Sequence, residues 1–253
     1  HPTFVAYENM IENEGGKVIN IPLNSKNYTI DVDGILNAVN DATRLVFITN
    51  PNNPTGTYTD KKKIDYLITN LPKDVVVVYD EVYFHFANAS DFPRAFDYIK
   101  DNKNVIGIHS FSKAYGLAGI RLGYGISTSK MISYLENIKR PFMINTLSMV
   151  AGINALKDTE HLQRTVDLIT TEKEWLYKEF RKLNVKYWPT QTNFIFIEPK
   201  IQLKDFVNEM LVQGIMIRGC EKFGAPNGAR ITIGNREANS ALVRAISNIY
   251  NSL

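Results

Sequence analysis

Residues 109–124 read HSFSKAYGLAGIRLGY, and the single lysine of this stretch, Lys113, determines how the rest of the chain is interpreted. The preceding run NVIGIHSF is largely apolar and ends in hydroxyl residues, which is typical of a buried strand that leaves a sheet for a loop. At a strand end, partial desolvation lowers the pKa of a lysine amine and frees it to attack an aldehyde. Ser110, Ser112 and Arg121 add hydroxyl donors and a planar cation suited to a phosphate. An ordinary surface loop is the alternative for a lone lysine, but these neighbours favour a site for an aldehyde phosphate.

Two further blocks precede the lysine, NPNNPTG at residues 50–56 and YDEVY at residues 79–83. With them, the chain resembles the fold-type I pyridoxal-phosphate aminotransferases, whose lysine motif S-x-S-K-x-x-G-L-A-G-x-R-x-G-Y is matched throughout by residues 110–124. Within that family, SKAYGLAGIRLGY, RPFMIN and RITIGNREAN resemble the histidinol-phosphate aminotransferases. The resemblance covers essentially the whole chain.

The resemblance implies pyridoxal 5'-phosphate as the cofactor and assigns a catalytic role to Lys113, which would carry the cofactor as a Schiff base and then transfer a proton. Asp80 would hold the ring nitrogen, and Arg121 with Ser112 would hold the phosphate. The implied cofactor-binding residues are Phe4, Asn53, Asp80, Tyr83, Ser110, Ser112, Lys113 and Arg121. The implied substrate-binding residues are Asn193, Arg218 and Arg230.

The residues alone leave plainer interpretations open for several of these positions. Phe4 could belong to the core, and Asp80 could cap a helix or have another structural role. The Pro, Asn and Gly cluster at residues 50–56 could be an ordinary turn. Each of Arg218 and Arg230 could be a surface cation, although two arginines at adjacent strand ends could bind one anion.

Strand patterns near residues 44, 75, 105 and 121 alternate with helical patterns, which predicts a mostly parallel α/β sheet with functional residues at strand ends. A short strand is also predicted at residues 17–21.

The last part of the chain, with its short strands NFIFIE, GIMIR and RITIG and two helices, predicts a small α+β domain. The resemblance implies a large cofactor-binding domain at residues 1–158, its sheet sandwiched by helices, and a small C-terminal domain at residues 159–253. It also implies that relatives carry an earlier segment, so we expect the N-terminal part of the large domain to be missing here.

The composition is that of a soluble globular protein, with 44% hydrophobic and 22% charged residues among 253. A net charge of +3 gives no sign of a nucleic-acid or membrane partner. One cysteine and four scattered histidines predict no internal disulfide and no metal site, and they favour the cytoplasm. No apolar run approaches the roughly 18 residues of a membrane span. The sequence also lacks a dinucleotide-binding glycine motif, a phosphate loop and a nucleophile elbow.

The predicted function is that of an aminotransferase that interconverts histidinol phosphate plus 2-oxoglutarate and imidazole acetol phosphate plus glutamate. An aminotransferase for aromatic or other amino acids, or a related decarboxylase of a phosphorylated amino acid, is the first alternative. An effector domain of this fold beside a DNA-binding module of a transcription regulator is the second. The resemblance further implies a homodimer that acts on a small-molecule amino donor and a 2-oxo acid.

Overall fold

The chain forms two compact units in a computed structural model that describes residues 1–253. The lysine unit consists of residues 31–51 and 59–165, and the arginine unit consists of residues 1–30, 52–58 and 166–253. The helices are α1 (Ala6–Asn13), α2 (Val32–Ala38), α3 (Lys61–Asn70), α4 (Ala95–Lys100), α5 (Ser129–Ile138), α6 (Thr146–Lys157), α7 (Thr159–Lys182), α8 (Leu203–Val212) and α9 (Arg236–Asn251). The strands are β1 (Leu45–Thr49), β2 (Val76–Asp80), β3 (Val105–Ser110), β4 (Gly123–Ile126), β5 (Lys186–Trp188), β6 (Phe194–Glu198), β7 (Arg218–Gly219) and β8 (Ala229–Thr232).

The lysine unit is built on a four-stranded sheet in the order β1-β2-β3-β4. Strands β1, β2 and β3 are parallel, and β4 runs antiparallel to β3 at the edge. The β-branched run of β2 is almost entirely buried, as expected of an inner parallel strand with both faces covered. The register pairs Thr49 with Asp80 and Asp80 with Ile108. The carboxyl ends of the parallel strands therefore meet at one edge of the sheet, which is where ligands bind in folds of this class.

Side-chain caps fix where helices of this unit begin. The Asp60 carboxylate accepts a hydrogen bond from the Lys63 backbone N–H at the start of α3, at 3.0 Å. The Asn145 side chain accepts one from the Ser148 backbone N–H at the start of α6, at 2.8 Å. Each cap satisfies one of the backbone donors that a helix start leaves unpaired. The three lysines at residues 61–63, in the first turn of α3, are exposed and form a solvated face.

The arginine unit contains a second sheet, antiparallel throughout, in the order β5-β6-β8-β7. Strand β6 is buried on both faces. The aromatic side chains of Trp188, Phe196 and Phe223 pack together in its core. Arg236 at the start of α9 binds the buried Glu172 of α7, and its Nε lies 3.0 Å and 3.1 Å from the two carboxylate oxygens. This ion pair connects two helices of the same unit.

The predicted α/β class, with a mostly parallel sheet and a smaller α+β portion, is confirmed. The predicted strand at residues 17–21 is wrong, because these side chains are exposed or half-exposed and no neighbouring strand pairs with them. The contiguous domains at residues 1–158 and 159–253 stay a prediction. None of the helices combines the length and the apolar character that crossing a bilayer requires.

Candidate active site

Asp80 is the last residue of β2 and retains only 8% of its accessible surface. Its Oδ1 accepts a hydrogen bond from the Val82 backbone N–H at 3.1 Å. The short 3-10 turn that follows, Phe84–Phe86, receives no side-chain cap, so Asp80 is not a helix cap. A buried carboxylate at a strand end is costly unless a polar or charged group binds it, and this makes Asp80 a candidate ligand-binding group.

Lys113 follows β3 by three residues and is half-buried. Its Nζ lies 5.3 Å from the centroid of the Tyr83 ring, within the range of a cation–π contact, and Tyr83 itself is buried. The backbone around the lysine is held by hydrogen bonds from Gly116 N–H to the Lys113 carbonyl and from Leu117 N–H to the Phe111 carbonyl, both 3.0 Å. The structure therefore brings the amine and the phenol ring together, at the edge that Asp80 occupies.

Ser110, Ser112 and Arg121 lie on the same motif as the lysine. The Ser112 backbone N–H donates to Ser110 Oγ at 3.0 Å, which orients the first hydroxyl. Arg121 is exposed, and its Nη1 donates to the Ala118 carbonyl at 2.9 Å. Its backbone is left-handed, at φ 53° and ψ 46°, a conformation that few residues with a side chain adopt. Such backbone strain at a cation of the lysine motif makes Arg121 a candidate functional residue.

In the arginine unit, Asn53 is buried within the turn that follows β1. Its Oδ1 accepts a hydrogen bond from Arg230 Nη1 at 2.6 Å. The turn is fixed at Gly56, where φ is +71° and where a Cβ would lie 2.1 Å from Thr190 Oγ1. The Gly56 carbonyl in turn accepts from the Gln191 backbone N–H at 2.8 Å. Residues 50–56 are a turn, as the plain interpretation expects, but this turn is buried and it holds Asn53 against an arginine.

Arg218 and Arg230 face each other across the β7 and β8 pair. Both guanidinium groups lie 5.7 Å from the centroid of the Phe223 ring, and that of Arg230 lies 5.0 Å from the Phe194 ring. Like charges directly opposite each other on neighbouring strands are destabilising, so an anion bound here would relieve the repulsion. Asn193 lies immediately before β6 and is half-buried.

Phe4 is 37% exposed, and its ring contacts Tyr7 edge-on at 5.5 Å, so it is not a core residue. The residues beside it are connected to the turn that carries Asn53. Thr3 Oγ1 donates to Asn52 Oδ1 at 3.3 Å, and Asn52 Nδ2 donates to the Pro2 carbonyl at 3.1 Å. The accessible ring of Phe4 therefore belongs to a fixed segment of the arginine unit.

A cluster of polar side chains around the buried Glu81 was not predicted as functional. Glu81, adjacent to Asp80, accepts hydrogen bonds from the Ala95 backbone N–H and from Arg94 Nε. His109 lies on the other side of its carboxylate. The sequence contained one signal for this cluster, since a second carboxylate directly follows Asp80, but no spacing rule connects it to residues 94 and 109.

The side chains of the lysine unit fit a group that carries an aldehyde, a ring nitrogen and a phosphate. The amine of Lys113 suits the aldehyde, the buried carboxylate of Asp80 suits a protonated nitrogen, and the hydroxyls and strained cation of the lysine motif suit a phosphate. Of the predicted residues, the lysine unit carries Asp80, Tyr83, Ser110, Ser112, Lys113 and Arg121. The arginine unit carries Phe4, Asn53, Asn193, Arg218 and Arg230.

Comparison with known families decides the class of protein. The profile of the family described as aminotransferase class I and II matches residues 1–246. The chain belongs to this family. The resemblance inferred from the lysine motif is thereby confirmed.

The chain is 36% identical, over 249 residues, to a curated relative, a histidinol-phosphate aminotransferase of Moorella thermoacetica. The alignment covers 98% of this chain and 64% of that protein, so the chain spans just under two thirds of the relative's length.

Two solved structures share the fold. One is a putative histidinol-phosphate aminotransferase from Erwinia carotovora atroseptica, at a TM-score of 0.92 and 26% identity, with 99% of this chain and 72% of the other covered. The second is histidinol-phosphate aminotransferase from Sinorhizobium meliloti in complex with pyridoxal-5'-phosphate, at a TM-score of 0.89 and 25% identity. That alignment covers 100% of this aminotransferase chain and 69% of the other.

Proposed function

We propose that the protein is a pyridoxal-phosphate-dependent aminotransferase in which Lys113 binds the cofactor covalently. One observation carries the proposal: in a chain of the aminotransferase family, the Lys113 amine lies over the Tyr83 ring at the sheet edge where the buried Asp80 ends β2. When bound, pyridoxal phosphate supplies an aldehyde that condenses with amines and a protonated ring that withdraws electrons.

Asp80 and Tyr83 would hold the ring of the cofactor. The carboxylate of Asp80 would keep a proton on the ring nitrogen, because an opposite charge favours the protonated form. The phenol of Tyr83 would donate to the phenolic oxygen. We propose the same role for Asn53. It accepts from Arg230 through Oδ1, so its Nδ2 is the atom that donates. Phe4 offers an accessible ring face for stacking.

Ser110, Ser112 and Arg121 would bind the phosphate. Hydroxyl donors and a planar guanidinium are the groups that bind phosphate most directly, since each hydrogen bond to the anion is charge-assisted. The left-handed backbone of Arg121 determines the direction in which its side chain leaves the turn. Firm binding of the phosphate would keep the cofactor in place while its covalent attachment to the protein changes.

Lys113 would act a second time, as the proton carrier. With the substrate amine in its place, the neutral Nζ of Lys113 would carry a proton from the substrate carbon that bears the nitrogen to the former aldehyde carbon. The reverse transfer by the same Nζ would accompany delivery of the amino group to the second substrate.

We propose histidinol phosphate and 2-oxoglutarate as the substrates, with imidazole acetol phosphate and glutamate as the products. The relatives named as histidinol-phosphate aminotransferases, at 36% identity for one of them, support this choice. Both substrates are anions. The facing guanidinium groups of Arg218 and Arg230 could bind the phosphate of one substrate and the carboxylate of the other. Asn193, which immediately precedes β6, is the third proposed substrate-binding residue.

We also propose that the protein is a homodimer in the cytoplasm. Helices α5 and α6 and the segment between them, here called the α5–α6 face, carry many exposed large apolar side chains, and clusters of such side chains are typical of protein–protein interfaces. Its exposed side chains are Tyr134, Leu135, Ile138, Phe142, Met143, Ile144, Leu147, Met149, Val150, Ile153 and Leu156.

The proposed cytoplasmic location rests on the single cysteine. Cys220 is buried, and burial raises its pKa to about 11, which suits a thiol that stays reduced.

The test is a titration of the cofactor's visible absorption band in the full-length protein. Histidinol phosphate is added first, and phenylalanine and tyrosine follow at matched concentrations. We expect the band to disappear at low histidinol phosphate and to return with 2-oxoglutarate. A band that responds only to the other amines would contradict the substrate, and a Lys113→Ala variant that retains turnover would contradict the mechanism.

A further inference from the structure

We propose that Glu81 is a positioning residue for Asp80, an inference that rests on the proposed role of Asp80 at the cofactor's ring nitrogen. Glu81 directly follows Asp80, and successive side chains at the end of an extended strand point to opposite sides. Glu81 has no accessible surface at all. A carboxylate fully removed from water is costly, so its partners must hold it in one place.

One oxygen of Glu81 is held by directed hydrogen bonds. Oε2 accepts from the Ala95 backbone N–H at 3.1 Å and from Arg94 Nε at 3.3 Å. Ala95 is the first residue of α4, and the Arg94 guanidinium is held over the Phe84 ring at 3.8 Å from its centroid. Glu81 therefore fixes the end of β2 relative to the start of α4.

The other oxygen faces β3. Oε1 lies 3.1 Å from His109 Nε2, and neither this oxygen nor either ring nitrogen of His109 makes a hydrogen bond. The imidazole is kept in place by its neighbours. It stacks on Tyr124 at 4.7 Å with an interplanar angle of 4°, and it contacts the edge of Phe84 at 5.1 Å. His109 immediately precedes Ser110, so this contact connects the end of β2 with the strand that leads to the lysine.

The backbone of Glu81 is the junction between β2 and the turn that carries Tyr83. Its N–H donates to the Ile108 carbonyl at 3.2 Å, and its carbonyl accepts from the Phe84 N–H at 2.9 Å. A side chain fixed at this junction determines the direction of Asp80 before it and of Tyr83 after it.

Stability does not account for this arrangement. Buried ion clusters give little net stability relative to apolar side chains of similar size. Here Glu81 Oε1 and both ring nitrogens of His109 are buried without a hydrogen bond, which lowers the net gain further. The cluster instead fixes the backbone at the end of β2, and with it the direction in which the Asp80 side chain points.

The experiment compares two forms of the cofactor on the full-length protein. One is pyridoxal phosphate, and the other is its 1-deaza analogue, which has carbon in place of the ring nitrogen and cannot bind Asp80. The ratio of their dissociation constants measures the contact at Asp80 alone. We expect Glu81→Gln to reduce the wild-type preference for the natural cofactor about fivefold or more, because a misdirected carboxylate loses a charge-assisted hydrogen bond.

The matched control is Glu172→Gln, which also neutralises a buried glutamate bound to an arginine, but in the arginine unit. It should lower the unfolding temperature and leave the preference unchanged. Arg94→Gln removes a half-exposed partner of Glu81 and should reduce the preference in the same direction by a smaller factor, even if Glu81→Gln does not fold.

An unchanged preference in Glu81→Gln, or in Arg94→Gln if only that variant folds, would overturn the inference. If wild type binds neither form, the proposed function fails, and this inference fails with it.

Discussion

At the scale of the residue, Arg121 combines a proposed role in phosphate binding with a backbone conformation that destabilises the folded protein. Its left-handed backbone, at φ 53°, disfavours any residue with a Cβ by about 1–2 kcal/mol, and glycine adopts it freely. Arg121→Gly should therefore leave the unfolding temperature unchanged or raise it, while the dissociation constant for pyridoxal phosphate rises about tenfold or more, because a charge-assisted contact is lost. Thermal unfolding without the cofactor and cofactor titration measure the two effects.

Asn102→Gly is the matched control for Arg121→Gly. Asn102 has nearly the same φ, 55°, and is exposed in the turn after α4. Its replacement should alter the unfolding temperature in the same direction by a smaller amount, because asparagine tolerates a positive φ better than arginine, and it should not change cofactor affinity. If both variants bind the cofactor like wild type, Arg121 does not hold the phosphate.

The residue scale also shows what the sequence could and could not predict. Lys113 and Arg121 lie eight residues apart in one motif, so the sequence alone indicates that an amine and a guanidinium belong to one site. Their roles stay predictions. The cluster of Glu81, Arg94 and His109 joins three segments that only folding brings together. The identity of Glu81 alone cannot show that it is buried, since most glutamates are solvated.

At the scale of the element, the turn at residues 52–58 depends on one glycine. An added Cβ at Gly56 would lie 2.1 Å from Thr190 Oγ1 and 2.8 Å from Thr190 Cβ, and Thr190 is itself buried. Gly56→Ala should therefore destabilise the protein by about 2–4 kcal/mol, through the clash and the positive φ together. It should also weaken cofactor binding, because the turn carries Asn53.

Gly15→Ala isolates the backbone part of that cost. Gly15 has φ +77°, and an added Cβ there meets no atom within 4 Å. Chemical unfolding should show a loss of only about 1 kcal/mol for this control. Equal losses for the two variants would mean that the contact with Thr190 relaxes without cost.

The link between α7 and α9 predicts a pH dependence. Burial alone raises the pKa of Glu172, but hydrogen bonds from Arg236 and Asn239 and the charge of Arg236 outweigh it and hold that pKa below its ordinary value of 4.5. A carboxylate with a lowered pKa in the folded state stabilises the protein above its unfolded-state pKa, and this contribution is lost as the pH falls through the folded-state pKa.

We therefore expect Glu172→Gln to be less stable than wild type by about 1–2 kcal/mol at neutral pH. The difference should shrink progressively as the pH falls below 4.5, where the wild-type glutamate also takes up a proton. Urea unfolding of both proteins across this range gives the measurement. A constant difference at every pH would mean that the ionised carboxylate adds nothing to stability.

The strands that the sequence predicted well are those whose side chains are buried along nearly the whole strand, because a continuous apolar, β-branched run indicates such a strand. The β-branched run of β2 is one of them. The antiparallel direction of β4 was not predicted, because direction depends on the pairing with β3 and not on the residues of β4. Strand β5 has three residues, too few for any periodicity to appear.

At the scale of the whole molecule, the α5–α6 face predicts self-association. Leu147 on this face is 81% exposed, and we expect Leu147→Glu to shift the full-length protein from dimer to monomer, because a charge is costly to bury in an apolar interface. Sedimentation over a range of concentrations measures the shift. Val212→Glu, at a position 82% exposed on α8, is the control and should leave the dimer intact. A wild-type protein that is active as a monomer would contradict the homodimer.

The membership of residues 52–58 in the arginine unit has a consequence for synthesis on the ribosome. The partners of this turn come much later in the chain, since Thr190 follows Gly56 by 134 residues and Arg230 follows Asn53 by 177. A nascent chain can form β1 and β2 long before either partner has been translated. The turn can close fully only after residue 230 has emerged, so Asn53 reaches its place long after β1 and β2 have been made.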